Sequence, residues 1–235
     1  MNEIKLNIKA FRASDDIETC SRYVEGHMDV LRIFGITMIT TANTEWFDDP
    51  NSYVIVVESE DREKIYAGAR IQIAGGKYQL PIEKAVSKFD PYIHKFVNDR
   101  LKNGIAELCG LWNSREVVGL GIGSLYLGRI GTAISTQLNL KTLFALCAPI
   151  TVRNCIKMGY LLETSLGNNG TFYYPKEDLI ATVVTLSDTS SFITADEKER
   201  DRILNLRYNP IQKKVEIGPR GQTVEIDFNL SISNC

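Results

Sequence analysis

Apolar and polar positions change period several times along this chain, and each change marks an expected element. Residues 3–11 (EIKLNIKAF) alternate at period two, the pattern of a half-buried strand. Ser14-Asp15-Asp16 then offers N-cap chemistry for a helix reaching about Gly35, with Ile17, Tyr23, Val24, Val30 and Leu31 as its buried side. Beyond a polar turn at Asp48, Asp49, Pro50 and Asn51 come two β-branched runs, 53–59 and 65–73. The charged link between them is too short for a parallel crossover, so they predict an antiparallel hairpin. A second amphipathic helix is predicted over 88–103, ended by Asn103-Gly104. Strand 105–112 (IAELCGLW) leads into a glycine-rich segment, 119–131, and a helix from about Ser124 to Leu138. The apolar strand 142–148 is punctuated by Pro149, and a short helix runs from about Thr151 to Met158. Strands at 171–174 and 179–186, a charged helix at 194–206 and a hairpin of 213–217 with 223–232 complete the pattern. With no repeat, low-complexity stretch or linker, it reads as an α/β domain over 1–190 carrying a helix-plus-hairpin appendage over 191–235.

Composition removes several classes of function. The chain has 235 residues, of which 44% are hydrophobic and 24% charged, enough for a sizeable core and too apolar for disorder. Twenty-seven Lys and Arg against 29 Asp and Glu leave a net charge of −2, so a dedicated nucleic-acid partner is disfavoured. No apolar run approaches the roughly 20 residues that span a bilayer, and the start, MNEIKLNIKA, lacks the apolar stretch of a secretory signal. A soluble, cytoplasmic protein is expected. The cysteines, Cys20, Cys109, Cys147, Cys155 and Cys235, are odd in number with no C-x-x-C pair, as for reduced thiols. The two histidines, His27 and His94, fall on amphipathic helices and read as surface or helix-packing residues; neither a zinc site nor a histidine triad is expected.

The segment 117–128 (VVGLGIGSLYLG) is the most informative. Closely spaced glycines between a strand and a helix permit unusual backbone angles and close ligand approach, and the first amides of the helix can hold a phosphate. The dinucleotide pattern G-x-G-x-x-G fails, because its last position falls on Ser124 or Tyr126. The triphosphate loop fails too, because Arg129-Ile130 stands where Lys-Ser/Thr is needed.

Gly121-Ile122-Gly123-Ser124 in this strand–helix setting resembles the acyl-coenzyme A loop of the GNAT (Gcn5-related) acyltransferases. The resemblance runs over about residues 105–160 and ends in Arg153–Tyr160, similar to the family's Y-x-x-x-G-[FY] helix end. It implies a mixed, mostly antiparallel central sheet flanked by helices. It also implies acyl transfer from an acyl thioester (acyl-CoA, acetyl-CoA or acyl carrier protein) to the amine of a small molecule, with no metal. Two positions depart from the pattern: the loop's usual Gln/Arg falls on Val118, and the family's tyrosine falls on Cys155. A narrower resemblance, to the acyl-homoserine-lactone and long-chain N-acyl amino acid synthases, is carried by Ala67-Gly68-Ala69-Arg70, Leu80-Pro81-Ile82-Glu83 and Ala106-Glu107-Leu108.

Each role has a candidate. Glu107, on the central strand, is the base that would take the amine's proton, since a carboxylate there can have a raised pKa. Cys155 is the acid for the leaving thiolate, against the commoner role of a free Cys as a small buried hydrophobe. Gly121, Ile122, Gly123 and Ser124 form the donor loop, while Leu111, Trp112 and Asn113 offer backbone groups to the pantetheine arm and the oxyanion. Gly128, Gly131 and Ser135 continue a small-residue stripe whose cost in helix stability close packing must offset. Arg129, Lys141, Arg153 and Lys157 could form a cationic rim, and Tyr126 and Trp46 belong either to the core or to an acyl pocket. The competing reading is a non-catalytic GNAT-fold module that binds a ligand or partner, favoured by the two departures; a third makes the C-terminal hairpin a contact surface.

Overall fold

The computed structural model describes residues 4–36 and 43–232. Glu3, at the start of the first expected strand, and Cys235 lie outside them. The expected central hairpin is β2 (Ser52–Ser59) against β3 (Ile65–Ile73), with β1 (Ile4–Arg12) antiparallel to β2 and β4 (Ile105–Asn113) antiparallel to β3. Beyond β4 lies β5 (Thr142–Cys147), parallel to it, then β8 (Ile180–Leu186), which carries the short β6 (Leu161–Leu162) and β7 (Thr171–Tyr173). The C-terminal hairpin, β9 (Ile211–Ile217) and β10 (Thr223–Asn229), returns to the far edge, where β10 runs parallel to β1. The order is β6-β8-β5-β4-β3-β2-β1-β10-β9, so the hairpin extends the central sheet.

Helices cover both faces, and strand alternation decides which residues each face receives. On β3, Ala67, Ala69 and Ile71 join one core and Gly68, Arg70 and Gln72 face the other way. The first core is roofed by α4 (Ser124–Ile134), α5 (Pro149–Lys157) and α6 (Glu197–Tyr208), with Leu127, Ile130 and Ile203 packed on Ile55, Leu108 and Phe228. Each such fully buried side chain contributes about 1.5–3 kcal/mol. The other face takes α1 (Ile17–Ile33), α2 (Pro81–Val86), α3 (Tyr92–Asn98) and the turn that holds Trp46.

Glycines set how closely two of these helices approach. A Cβ on Gly26 of α1 would lie 2.2 Å from the Trp112 ring, and one on Gly128 of α4 would lie 2.5 Å from Met158 Cε. On Gly131 it would sit 3.0 Å from Leu108 Cδ1. The small-residue stripe of α4 is thus filled by neighbouring side chains.

Several expectations are corrected. Residues 88–103 are not one helix: α3 opens after Pro91, with the Asp90 carboxylate accepting from the Tyr92 amide, and ends at Asn98, while Leu101–Asn103 form a separate 3-10 turn; the short α2 before them, at Pro81–Val86, is not among the expected elements. Ile17 is exposed, because Asp16 is the N-cap and accepts from Thr19 N, which turns Tyr23, Val24 and Leu31 inward instead. Arg129 is no part of a cationic rim. It is buried and forms a two-bond pair with Glu199 of α6, which also binds Arg202. Lys141, Arg153 and Lys157 are exposed. Tyr126 and Trp46 are core residues, Tyr126 stacked on Phe228.

Candidate active site

The site begins where the sheet comes apart. Pairing between β4 and β5 runs only from Ile105↔Thr142 to Glu107↔Phe144. Just beyond, β4 carries a bulge: its register with β3 shifts between Gly68 and Arg70, and Gly110 adopts a φ of +57°, a region open to glycine and strained for other residues. Tyr23 of α1 donates from its hydroxyl to the Gly110 carbonyl at 2.5 Å and fixes the bulge. The wedge between the parting strands is a cavity of about 220 Å³. Its wall takes Glu107, Cys109 and Leu111 from β4, Cys147 from β5, Ser124 from α4 and Cys155 from α5.

Glu107 is 2% exposed, and its Oε2 accepts from the Ile82 amide at 2.9 Å. Burial pushes its carboxyl up to about 7; the Ile82 amide and Arg70 oppose the rise, and Glu83 adds to it. A carboxyl poised near neutrality, fixed by one hydrogen bond at a cavity wall, is suited to accept a proton from an amine.

Two further polar groups on this face were not singled out by sequence reasoning. Arg70, opposite Cys109 in the register, is 1% exposed, stacks over Trp46 at 4.3 Å and donates from Nε to Cys109 Sγ at 3.4 Å. Its Nη1 has no hydrogen-bond partner, and its charge acts on the Glu107 carboxyl. A buried cation whose donors are not all satisfied is costly, and an anionic ligand group reaching it would relieve that cost. Arg70 stands behind Cys109 and lines a separate small pocket with Trp46 and Gln72, whereas His27 of α1 lines the cavity itself, with Nδ1 buried and unpartnered; burial and Arg70 push it down to about 4, so it is neutral near pH 7. Its place in the wall exceeds the helix-packing role read from the sequence. A charged residue inside the motif resembling the synthase branch was the available signal for Arg70; no signal marked His27.

The remaining candidates divide. Leu111 and Ser124 reach the cavity, and Ser124 Oγ accepts from Asn154 Nδ2 at 2.7 Å. Trp112 packs instead against Tyr23 and α1, Asn113 donates to the Ser114 carbonyl, and Ile122 is buried in the α4-side core. Gly119 and Gly121 have positive φ, and the turn of the C-terminal hairpin covers the loop: a Cβ on Gly121 would meet Pro219 at 3.4 Å. Gly123 is the extended N-cap of α4. Cys155 and Cys147 touch, Sγ to Sγ, at 3.8 Å. Among the described residues no group of three or more side chains could hold a metal ion, and no helix is long and apolar enough to cross a membrane.

A mixed sheet that splits beside a bulged central strand, over a loop that opens α4, is the architecture of the GNAT acyl-CoA N-acyltransferases, and this chain has that fold. FeeM, an N-acyl amino acid synthase from uncultured soil microbes, aligns with a TM-score of 0.58 at 11% identity, covering 76% of this chain and 95% of its own. MesI, a CoA-dependent acyl-homoserine lactone synthase, gives 0.55 at 10% identity over 86% of this chain and 95% of its own. BjaI, a second CoA-dependent acyl-homoserine lactone synthase, solved with SAM and isopentyl-CoA, gives 0.51 at 12% identity over 83% and 88%. These proteins represent the branch that residues 67–70, 80–83 and 106–108 resemble. No family model and no curated protein sequence matches the chain.

Proposed function

We propose that this chain is an N-acyltransferase that moves an acyl group from the thioester of coenzyme A or an acyl carrier protein to the amine of a small molecule. The observation that carries the reading is Glu107, buried and near-neutral in its pKa, at the mouth of the split between β4 and β5. Glu107 takes a proton from the acceptor ammonium, and the freed amine attacks the thioester carbonyl directly. Backbone amides of residues 110–113 stabilise the oxyanion, and Cys155 returns a proton to the departing thiolate. The pantetheine arm lies along the open side of β4 beyond Glu107, with its phosphates toward residues 121–124. Arg70, placed just behind Cys109 of the cavity wall with its Nη1 unpartnered, supports an acceptor that bears an anionic group, such as the carboxylate of an amino acid.

The test is release of free thiol and formation of amide, followed by mass spectrometry, from acyl-CoA and acyl carrier protein donors of increasing chain length. Each donor is offered an α-amino acid and the matching amine without its carboxylate. Amide forms with the amino acid, and Glu107→Gln cuts turnover by about 100-fold or more without weakening donor binding. Absence of amide with every donor and acceptor, alongside saturable coenzyme A binding, rejects the enzyme reading in favour of a ligand-binding module.

A further inference from the structure

Cys147 closes β5 and Cys155 lies on the inward side of α5, so their thiols meet in the cavity wall with Sγ atoms 3.8 Å apart. The other described cysteines are placed differently. Cys20 donates to the Ala13 carbonyl inside the α1 cluster, and Cys109 faces the Arg70 guanidinium. Cys147 and Cys155 alone, among the described residues, combine sulfur–sulfur contact with a position on the cavity.

We propose that Cys147 and Cys155 form a thiol–disulfide exchange site within the cavity, which reacts with low-molecular-weight disulfides and is converted to an intramolecular disulfide that stops the cavity's chemistry. Cys155, as thiolate, attacks one sulfur of the incoming disulfide RS–SR; the S–S bond breaks, and RS⁻ leaves and takes up a proton. Cys147 then gives up its proton and attacks the Cys155 sulfur of the mixed disulfide, expelling the second RS⁻, which is protonated in turn. Two protein thiols are oxidised by two electrons, and one small disulfide is reduced to two small thiols. The contact lets either thiol take the other's proton; with Cys147 donating, the hydrogen bond holds the Cys155 thiol below its ordinary value and raises Cys147, which favours Cys155 as the attacking and Cys147 as the resolving sulfur.

The bond requires the sulfurs to close from 3.8 Å to about 2.05 Å, drawing the end of β5 and α5 together at the wall. Displacements on the order of 1 Å in a reacting site cost up to ~100-fold in rate. That second half of the inference rests on the acyltransferase reading, because the thiolate of the donor would depart beside Cys155; the exchange chemistry does not.

The experiment uses the full chain, reduced with dithiothreitol, freed of it, and incubated with excess oxidised glutathione. Remaining thiols are alkylated before trypsin digestion. Trypsin cleaves after Lys141, Arg153 and Lys157, and Arg153 lies between the two cysteines. The disulfide therefore joins peptide 142–153 to peptide 154–157. That joined pair is the expected product in wild type, and Cys147→Ser stops at glutathione on Cys155. Acyl transfer falls by about tenfold or more on oxidation and returns with dithiothreitol. Free, alkylated thiols at both positions in the oxidant-treated wild type overturn the proposal. Formation of the disulfide with coenzyme A binding and acyl transfer both unchanged overturns its control of the site. The peptide readout needs no turnover, so an inactive chain defeats the acyltransferase reading alone.

Discussion

Replacing Glu107 with Gln separates the cost of a site from its use. In the folded protein the carboxyl is buried and its pKa is raised from 4.5 to about 7. The unfolded chain leaves it in water at its ordinary value. Between those two pH values the native state therefore holds a proton that the unfolded state has released, and stability falls as pH rises. At about 1.4 kcal/mol per pH unit of separation, ionised Glu107 costs the fold about 3 kcal/mol above pH 7. Glutamine keeps the shape and leaves an amide oxygen to accept from the Ile82 amide at the same place. Urea unfolding of wild type and Glu107→Gln should give similar stabilities near pH 4.5. The variant then gains with rising pH, reaching about 3 kcal/mol at pH 8, or roughly 6–12 °C in Tm for a chain of this size. If Glu107 is the base proposed above, the more stable protein should also be the one without turnover. A variant less stable than wild type at pH 8, or a difference that does not change with pH, refutes the assignment of burial as the cause of the raised pKa.

Arg129→Met leaves Glu199 buried with one exposed partner, Arg202, and should cost about 3–5 kcal/mol in urea unfolding at pH 7. Replacing Glu199 with Leu as well should recover most of that loss. Gly26→Ala drives a methyl into the Trp112 ring; overpacking of about 1–3 kcal/mol outweighs the ~1 kcal/mol gained in helix propensity by up to about 2 kcal/mol, so denaturant stability should fall by up to that amount. Arg70→Gln should raise the KM of a carboxylate-bearing acceptor by about tenfold or more and leave the KM of an uncharged amine unchanged, as steady-state kinetics would show.

The strands and the order of elements were legible because their periods were unambiguous: β2, β3 and β4 are β-branched or apolar runs bounded by turns. The helix expected over 88–103 was not, since only Tyr92–Asn98 is helical there with a separate 3-10 turn at Leu101–Asn103, and the short α2 at Pro81–Val86 carried no helical period long enough to read. Glu107 and Cys155 could be placed near a site through the glycine loop and the strands that flank it. Arg70 and Arg129 could not be read as buried. A charged residue on an alternating strand or an amphipathic helix ordinarily faces water, and what reverses that here is a partner far away in sequence: Trp46 beneath one guanidinium and Glu199 beside the other. The Cys147–Cys155 contact depends on how α5 settles on β5, a tertiary fact with no local signature.

The three-residue ladder between β4 and β5 also divides the molecule mechanically. On one side stand six strands tied by long antiparallel registers and the β1–β10 pair; on the other, β5 and β8 carry only β6 and β7. Amides of β4 and β5 that face one another beyond Glu107 and Phe144 should exchange their hydrogens with solvent faster than those of β2 and β3, which are paired on both sides. A ligand lying in the split as an added strand would slow that exchange on both sides at once. Occupancy of the site would then be written into the protection map as the joining of two cooperative units into one.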